Sequence, residues 1–212
     1  MNTSPFDVIS KHRLMSVVEI KDADTAPGLA AALVAGGLPI LEITLRTEAA
    51  LPALAKVAAA HKGVTLAAGT VVTTEQVKKA VDAGAQLIVS PGLSNAVVEY
   101  CLKHSVPVLP GVCTPSEVEM ARGYGLKYVK FFPAEAFGGV RTLWALNSVY
   151  GGFGFVPTGG VNMRNLGDYL KIPTVIACGG TWLAPTEKIV LRQFDAITES
   201  TREAVAAAHA VV

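Results

Sequence analysis

Cysteine, histidine and charge are all scarce in this chain, and each shortage removes a class of function. The three cysteines, Cys101, Cys113 and Cys178, are an odd and scattered set. They outline no disulfide framework, and none stands in a zinc-ligand spacing. The four histidines, His12, His61, His104 and His209, fall in helical or loop-like stretches rather than at strand ends. That argues against a histidine-held metal and against histidine-driven acid–base chemistry. Charged residues make up 17% of the chain and the net charge is +1, so no basic surface invites nucleic acid. No apolar run approaches membrane-spanning length, and residues 1–20 lack a signal-peptide layout. No G-x-G-x-x-G loop follows an early strand, which removes the usual dinucleotide signature. The expectation is a soluble, cytoplasmic protein with no metal, no cofactor, and no nucleic-acid or membrane partner.

Apolar residues are abundant, at 51% of 212. That is a richer core than the average globular chain has, as expected when strands are buried on both faces. The length suits one domain over residues 1–212. A short N-terminal helix is expected over 3–12, with Ser4-Pro5 as cap and first turn. Apolar strands then recur near 14–20, 40–44, 64–68, 87–90, 107–110, 128–132, 153–157 and 174–178. Alanine-rich amphipathic segments lie between them, near 22–36, 47–61, 73–83, 94–104, 114–124, 139–148, 162–170 and 186–210. Thr73 with Gln76 and Thr114 with Glu117 have capping-box spacing, and Pro115 fits a first helical position. Eight evenly spaced strand–helix units predict a (β/α)8 TIM barrel behind a short N-terminal helix. A doubly wound open sheet is the rival.

In such a barrel chemistry lies at the carboxyl ends of the strands. The segment Tyr128-Val-Lys-Phe-Phe-Pro133 places Lys130 inside an aromatic and β-branched run. A buried lysine surrenders its proton more readily, and a free amine attacks carbonyl carbon. The bland alternative is a lysine that snorkels to the rim. Glu42 interrupts the apolar run Ile40–Leu45 in the same way. Period two sets Glu42, Thr44 and Arg46 on one face. An inward carboxylate needs a partner, and Lys130 is a candidate; a purely structural ion pair is the alternative. Thr70 offers a hydroxyl past the third strand, and Gly69 there reads as room for a ligand. Ser90-Pro91-Gly92 and Pro110-Gly111 read as turn formers. Gly159-Gly160 and Gly179-Gly180-Thr181 read as turns after the last two strands, where barrels of this kind often hold phosphate on exposed backbone N–H groups. Glu19, near the end of the first strand, faces either the mouth or solvent.

Together these residues resemble the 2-keto-3-deoxy-6-phosphogluconate aldolase family of class I aldolases. The resemblance runs from about residue 14 to about 185. It rests on Leu-Glu-Ile-Thr-Leu-Arg-Thr at 41–47, Ala-Gly-Thr-Val at 68–71, Val-Ser-Pro-Gly-Leu at 89–93, Val-Lys-Phe-Phe-Pro-Ala-Glu at 129–135, Pro-Thr-Gly-Gly at 157–160 and Gly-Gly-Thr-Trp at 179–182. It implies a metal-free homotrimer that reversibly cleaves a phosphorylated keto acid to pyruvate and glyceraldehyde 3-phosphate. On this resemblance Lys130 forms the Schiff base and Glu42 is the general acid–base. Arg46 and Thr70 hold the pyruvate carboxylate, and Gly159, Gly160 and Thr181 hold the phosphate. Pro91 and Phe132 line the site. Thr158 stands where relatives acting on the galactonate epimer differ, which favours the gluconate substrate. Two departures are Thr181, where relatives usually carry serine, and Glu19, where they carry an apolar residue or arginine. Neighbouring pyruvate-dependent aldolases, an oxaloacetate decarboxylase, a phosphosugar isomerase and a non-catalytic phosphosugar-binding barrel are the competing readings.

Overall fold

The computed structural model describes residues 4–211. Residue 3 of the expected first helix, and both ends of the expected 1–212 domain, lie outside the described residues. Helix α1 (Pro5–His12) opens the chain; Ser4 Oγ accepts the Phe6 N–H, and Pro5 supplies the first turn. Then come β1 (Leu14–Val18), α2 (Ala26–Ala35), β2 (Ile40–Thr44), α3 (Ala50–Ala60), β3 (Thr65–Gly69), α4 (Thr74–Asp82), β4 (Leu87–Val89) and α5 (Asn95–Lys103). The second half holds β5 (Val108–Leu109), β6 (Gly111–Val112), α6 (Pro115–Gly123), β7 (Tyr128–Phe131), α7 (Gly139–Val149), β8 (Gly154–Pro157), α8 (Leu166–Leu170), β9 (Cys178–Gly180), α9 (Thr186–Val190) and α10 (Phe194–Ala210). Both capping boxes form, at Thr73 and Thr114.

The fold is α/β, and every strand ladder is parallel. A six-stranded sheet, in the order β5-β4-β3-β2-β1-β9, forms a half-barrel, and β6-β7-β8 make a second sheet of three. Bridges at Thr158–Gly179 and Phe155–Val175 join β8 to the segment around β9. Pro110 separates β5 from β6. It has no N–H to give a ladder, yet its carbonyl still accepts the Lys130 N–H at 2.9 Å.

Period-two alternation sorts the strand side chains into two cores. Met15, Val17, Ile40, Ala67, Leu87 and Val89 belong to one. Leu41, Ile43, Leu66, Ala68 and Ile88 belong to the other, under Leu29 and Leu33 of α2 and Leu54 and Val57 of α3. Glu42 stands opposite Val17 on one side and Ala67 on the other, so it shares the inner face with Ile40. Lys130 stands opposite Gly111 and Val156.

The last strand and the last helix differ most from expectation. The eighth strand, expected over 174–178, instead runs Cys178–Gly180, because Val175 N–H closes a turn onto the Ile172 carbonyl. Gly179 and Gly180 are therefore strand residues and not a turn. They are glycine because a methyl group on Gly179 would lie 2.5 Å from Thr158 Oγ1, and one on Gly180 would lie 1.8 Å from the Trp182 ring. The helix expected over 186–210 divides into α9 and α10 where Arg192 takes φ 52. Among the described residues no helix is long and apolar enough to cross a membrane.

Candidate active site

Lys130 leaves β7 pointing inward and is only 6% exposed, while Glu42 of β2 is fully buried. Lys130 Nζ donates to Glu42 Oε1 at 3.2 Å. The Phe132 ring lies over the ammonium, 5.4 Å from its centroid to Nζ. Taking two charges out of water is unfavourable unless their remaining polar valences are filled. Among the described residues they are not: Glu42 Oε2 is buried without a protein hydrogen-bond donor. An unmet buried acceptor costs about 1–3 kcal/mol, so the pair is poorly explained as a purely structural feature. It is well suited to receive a donor from a bound molecule.

Gly69 makes room for this carboxylate. A methyl group there would lie 2.1 Å from Glu42 Oε1. The sequence reading of Gly69 as space for a ligand is thus replaced by space for Glu42. The next residue, Thr70, has φ 57. The left-handed region is unusual for a β-branched residue, and strain of this kind, about 1–3 kcal/mol, collects at functional sites. The turn delivers Thr70 Oγ1 to Arg46, whose Nε donates to it at 3.2 Å.

The loop after β8 is held from below. Ala134 N–H donates to the Thr158 carbonyl at 2.8 Å, and Glu135 N–H to the Gly159 carbonyl at 3.0 Å. The side-chain amides of Asn162 and Asn165 donate to the Gly160 carbonyl. Gly159 and Gly160 take φ +97 and +87, values open to glycine without strain. Among the described residues Gly160 N–H meets no backbone acceptor, while Gly159 N–H points to Gly179 across the Thr158–Gly179 bridge. A free backbone N–H in a glycine turn of this kind is a donor that an anion can use. Glu135 braces this turn, its Cγ 2.4 Å from where a methyl group on Gly160 would stand, and it accepts the hydroxyl of fully buried Tyr169. Burial, then the hydrogen bond to Glu135, raises the Tyr169 pKa above its ordinary value. Sequence reasoning missed this brace, although Pro-Ala-Glu directly after the lysine strand was its signal.

A cavity of about 310 Å³ opens between β1, β2 and β9, lined by Val17, Glu19, Thr44, Arg46, Thr181 and Trp182 among others. Pro91 lies across from β6, where a methyl group on Gly111 would meet its carbonyl oxygen at 2.0 Å. Arg46, Thr70, Pro91, Phe132, Thr158 and Thr181 all stand within two residues of the carboxyl end of a parallel strand. The residues singled out in the sequence therefore gather at one end of the strands. Among the described residues no group of three or more His, Cys, Asp or Glu side chains is placed to hold a metal ion. Burial pushes Cys101 up to about 11 and raises Cys178 as well, so neither is a ready nucleophile.

The KDPG and KHG aldolase family profile matches residues 6–200. The chain belongs to this family. The 2-dehydro-3-deoxy-phosphogluconate aldolase of Treponema pallidum is 41% identical over 93% of this chain and 94% of its own length. The KHG/KDPG aldolase of Escherichia coli K12 is 39% identical over 96% and 95%. Among solved structures, the KDPG aldolase of Legionella pneumophila, in which pyruvate is captured as a covalent carbinolamine, superposes with a TM-score of 0.92. It is 38% identical, and the match covers 95% of this chain and 98% of that one. Membership of the KDPG and KHG aldolase family gives the buried Lys130–Glu42 pair a chemical setting, since an amine beside a carboxyl group is the minimum that imine chemistry needs.

Proposed function

We propose that this protein is a class I aldolase that cleaves 2-keto-3-deoxy-6-phosphogluconate to pyruvate and glyceraldehyde 3-phosphate through an imine on Lys130. The observation that carries the reading is the buried Lys130–Glu42 contact with its unpartnered Glu42 Oε2. Glu42 takes a proton from the Lys130 ammonium, and the free amine adds to the keto carbon. Glu42 returns the proton to the carbinolamine hydroxyl, water leaves, and a protonated imine remains. The same carboxylate removes the proton of the C4 hydroxyl. The C3–C4 bond breaks, its electrons enter the iminium to give an enamine, and the aldehyde departs. Protonation of the enamine at C3 and addition of water release pyruvate and the amine.

Arg46 and Thr70 are assigned the substrate carboxylate, and Gly159, Gly160 and Thr181 the phosphate. Pro91 and Phe132 line the site, and Thr158 sets the preference for the gluconate epimer. Support comes from the Arg46–Thr70 hydrogen bond and from the free Gly160 N–H among the described residues. A phosphate held far from the reacting bond orients it with binding energy.

The same proposal reads the two sheets as one closed (β/α)8 barrel in a single domain over 1–212. The Thr158–Gly179 bridge and the short interruption at Pro110 support closure. It takes the enzyme as a cytoplasmic homotrimer. Exposed Phe137, Trp144 and Met120 supply apolar surface that association would cover, and light scattering on the purified chain tests the mass.

The deciding experiment is borohydride reduction with pyruvate followed by peptide mapping. A pyruvate-derived adduct on Lys130 is expected. A folded protein that takes up no adduct overturns the imine mechanism.

A further inference from the structure

The cavity that contains Arg46 and Thr181 also contains Glu19. Glu19 follows β1, two residues beyond Val17, and period two turns it to the same inner face. Among the described residues Arg46 is the one cation lining this cavity, and its Nε donates to Thr70 Oγ1. No ion pair to Glu19 forms among the described residues. The neighbouring hydroxyl of Thr44 is also committed, donating to the Val18 carbonyl at 3.0 Å. The cavity thus presents a carboxylate with no ion-pair partner among the described residues, in the lining it shares with the residue assigned to the far end of the substrate.

We infer that Glu19 is a specificity-determining residue that sets which distal end the aldolase accepts. A carboxylate repels a phosphate dianion. It also accepts a hydrogen bond from an uncharged hydroxyl terminus. Glu19 therefore weakens this site's discrimination in favour of a phosphorylated substrate and admits unphosphorylated, hydroxyl-ended 2-keto-3-deoxy acids as well. The inference rests on the aldolase reading and on Thr181 marking the distal subsite. The repulsion is Coulombic and crosses a water-filled cavity, so its expected size is modest, about five-fold in kcat/KM, and salt screens it.

The test measures kcat/KM for 2-keto-3-deoxy-6-phosphogluconate and for its unphosphorylated counterpart, with wild type, Glu19→Gln and Glu19→Val. Each variant is first shown to fold by circular dichroism and thermal melting. In Glu19→Gln the ratio of phosphorylated to unphosphorylated kcat/KM is expected to rise about five-fold at low ionic strength. Much of that gain should vanish at about 0.5 M salt. Should Glu19→Gln fail to fold, Glu19→Val carries the same expectation for the ratio. An unchanged ratio, or a changed ratio indifferent to salt, overturns the proposal. Pyruvate trapping on the wild-type protein keeps the two readings apart. If trapping fails, the aldolase reading falls; if trapping succeeds while the ratio stays fixed, only the role of Glu19 falls.

Discussion

Lys130 Nζ lies 3.2 Å from Glu42 Oε1, a contact that joins the three-stranded sheet to the six-stranded one. Lys130→Ala is expected to abolish pyruvate release. It should also lower stability by about 3–5 kcal/mol, the usual effect of stranding one buried charge. Combining Lys130→Met with Glu42→Gln should restore much of that stability and no activity. Urea denaturation and a dehydrogenase-coupled assay for pyruvate report the two quantities separately. Full activity in Lys130→Ala would refute the imine.

Gly69→Ala puts a methyl group 2.1 Å from Glu42 Oε1, so the carboxyl group must move. A displacement near 1 Å at a reacting group costs about 100-fold in rate. We expect kcat to fall by that order while circular dichroism stays unchanged. A variant with normal kcat would mean that Glu42 does not act from the position described.

Tyr169→Phe removes the hydroxyl that holds Glu135 under the Gly159-Gly160 turn. A hydrogen bond to a charged group contributes about 1.5–3 kcal/mol, and a loss of that size in thermal or urea unfolding is expected. If the turn is the phosphate site, KM for the phosphorylated substrate should rise several-fold while kcat changes little. Equal changes in kcat for phosphorylated and unphosphorylated substrates would point to general loosening instead.

Glu117 supplies a pH dependence. Burial pushes its carboxyl up, but the N–H groups of Cys113 and Thr114, the Thr114 hydroxyl and the Cys113 thiol outweigh burial and hold it below the usual range. A folded-state value below the unfolded value stabilises above the unfolded pKa, about 4.3, and that stability is lost as pH falls through the folded value. Glu117→Gln should therefore unfold more easily than wild type at pH 7. The gap should narrow below about pH 4. A constant gap from pH 7 to pH 3 would show that the carboxylate charge is not what the four donors stabilise.

Much of this architecture is legible in the sequence because it follows from local chemistry. The apolar run Ile40–Thr44 is a strand because its side chains are buried on both faces, and Glu42 announces itself by breaking that run. The capping boxes at Thr73 and Thr114 require only residues three apart. What the sequence hid depends on distant partners. Gly179 and Gly180 read as a turn by propensity, yet they pair with Met15 and Ser16 of β1 as strand. The split at Arg192 carries no local signal, and Pro-Ala-Glu marks Glu135 but not the distant Tyr169 hydroxyl that it accepts. Gly69 was legible as a small residue, but the atom it makes room for belongs to another strand.

Arg13 ties the two ends of the fold together. Its guanidinium donates to the carbonyls of Leu170, Ala208 and Val211, and the strand it precedes pairs with β9 on one edge and β2 on the other. During synthesis β1 meets β2 early, but its other edge stays bare until Cys178–Gly180 has been made. A nascent chain therefore carries an unpaired, largely apolar strand edge for most of its translation, the kind of edge that recruits foreign strands. Slowing the ribosome before residue 178 should increase aggregation, whereas slowing it after α10 has emerged should not.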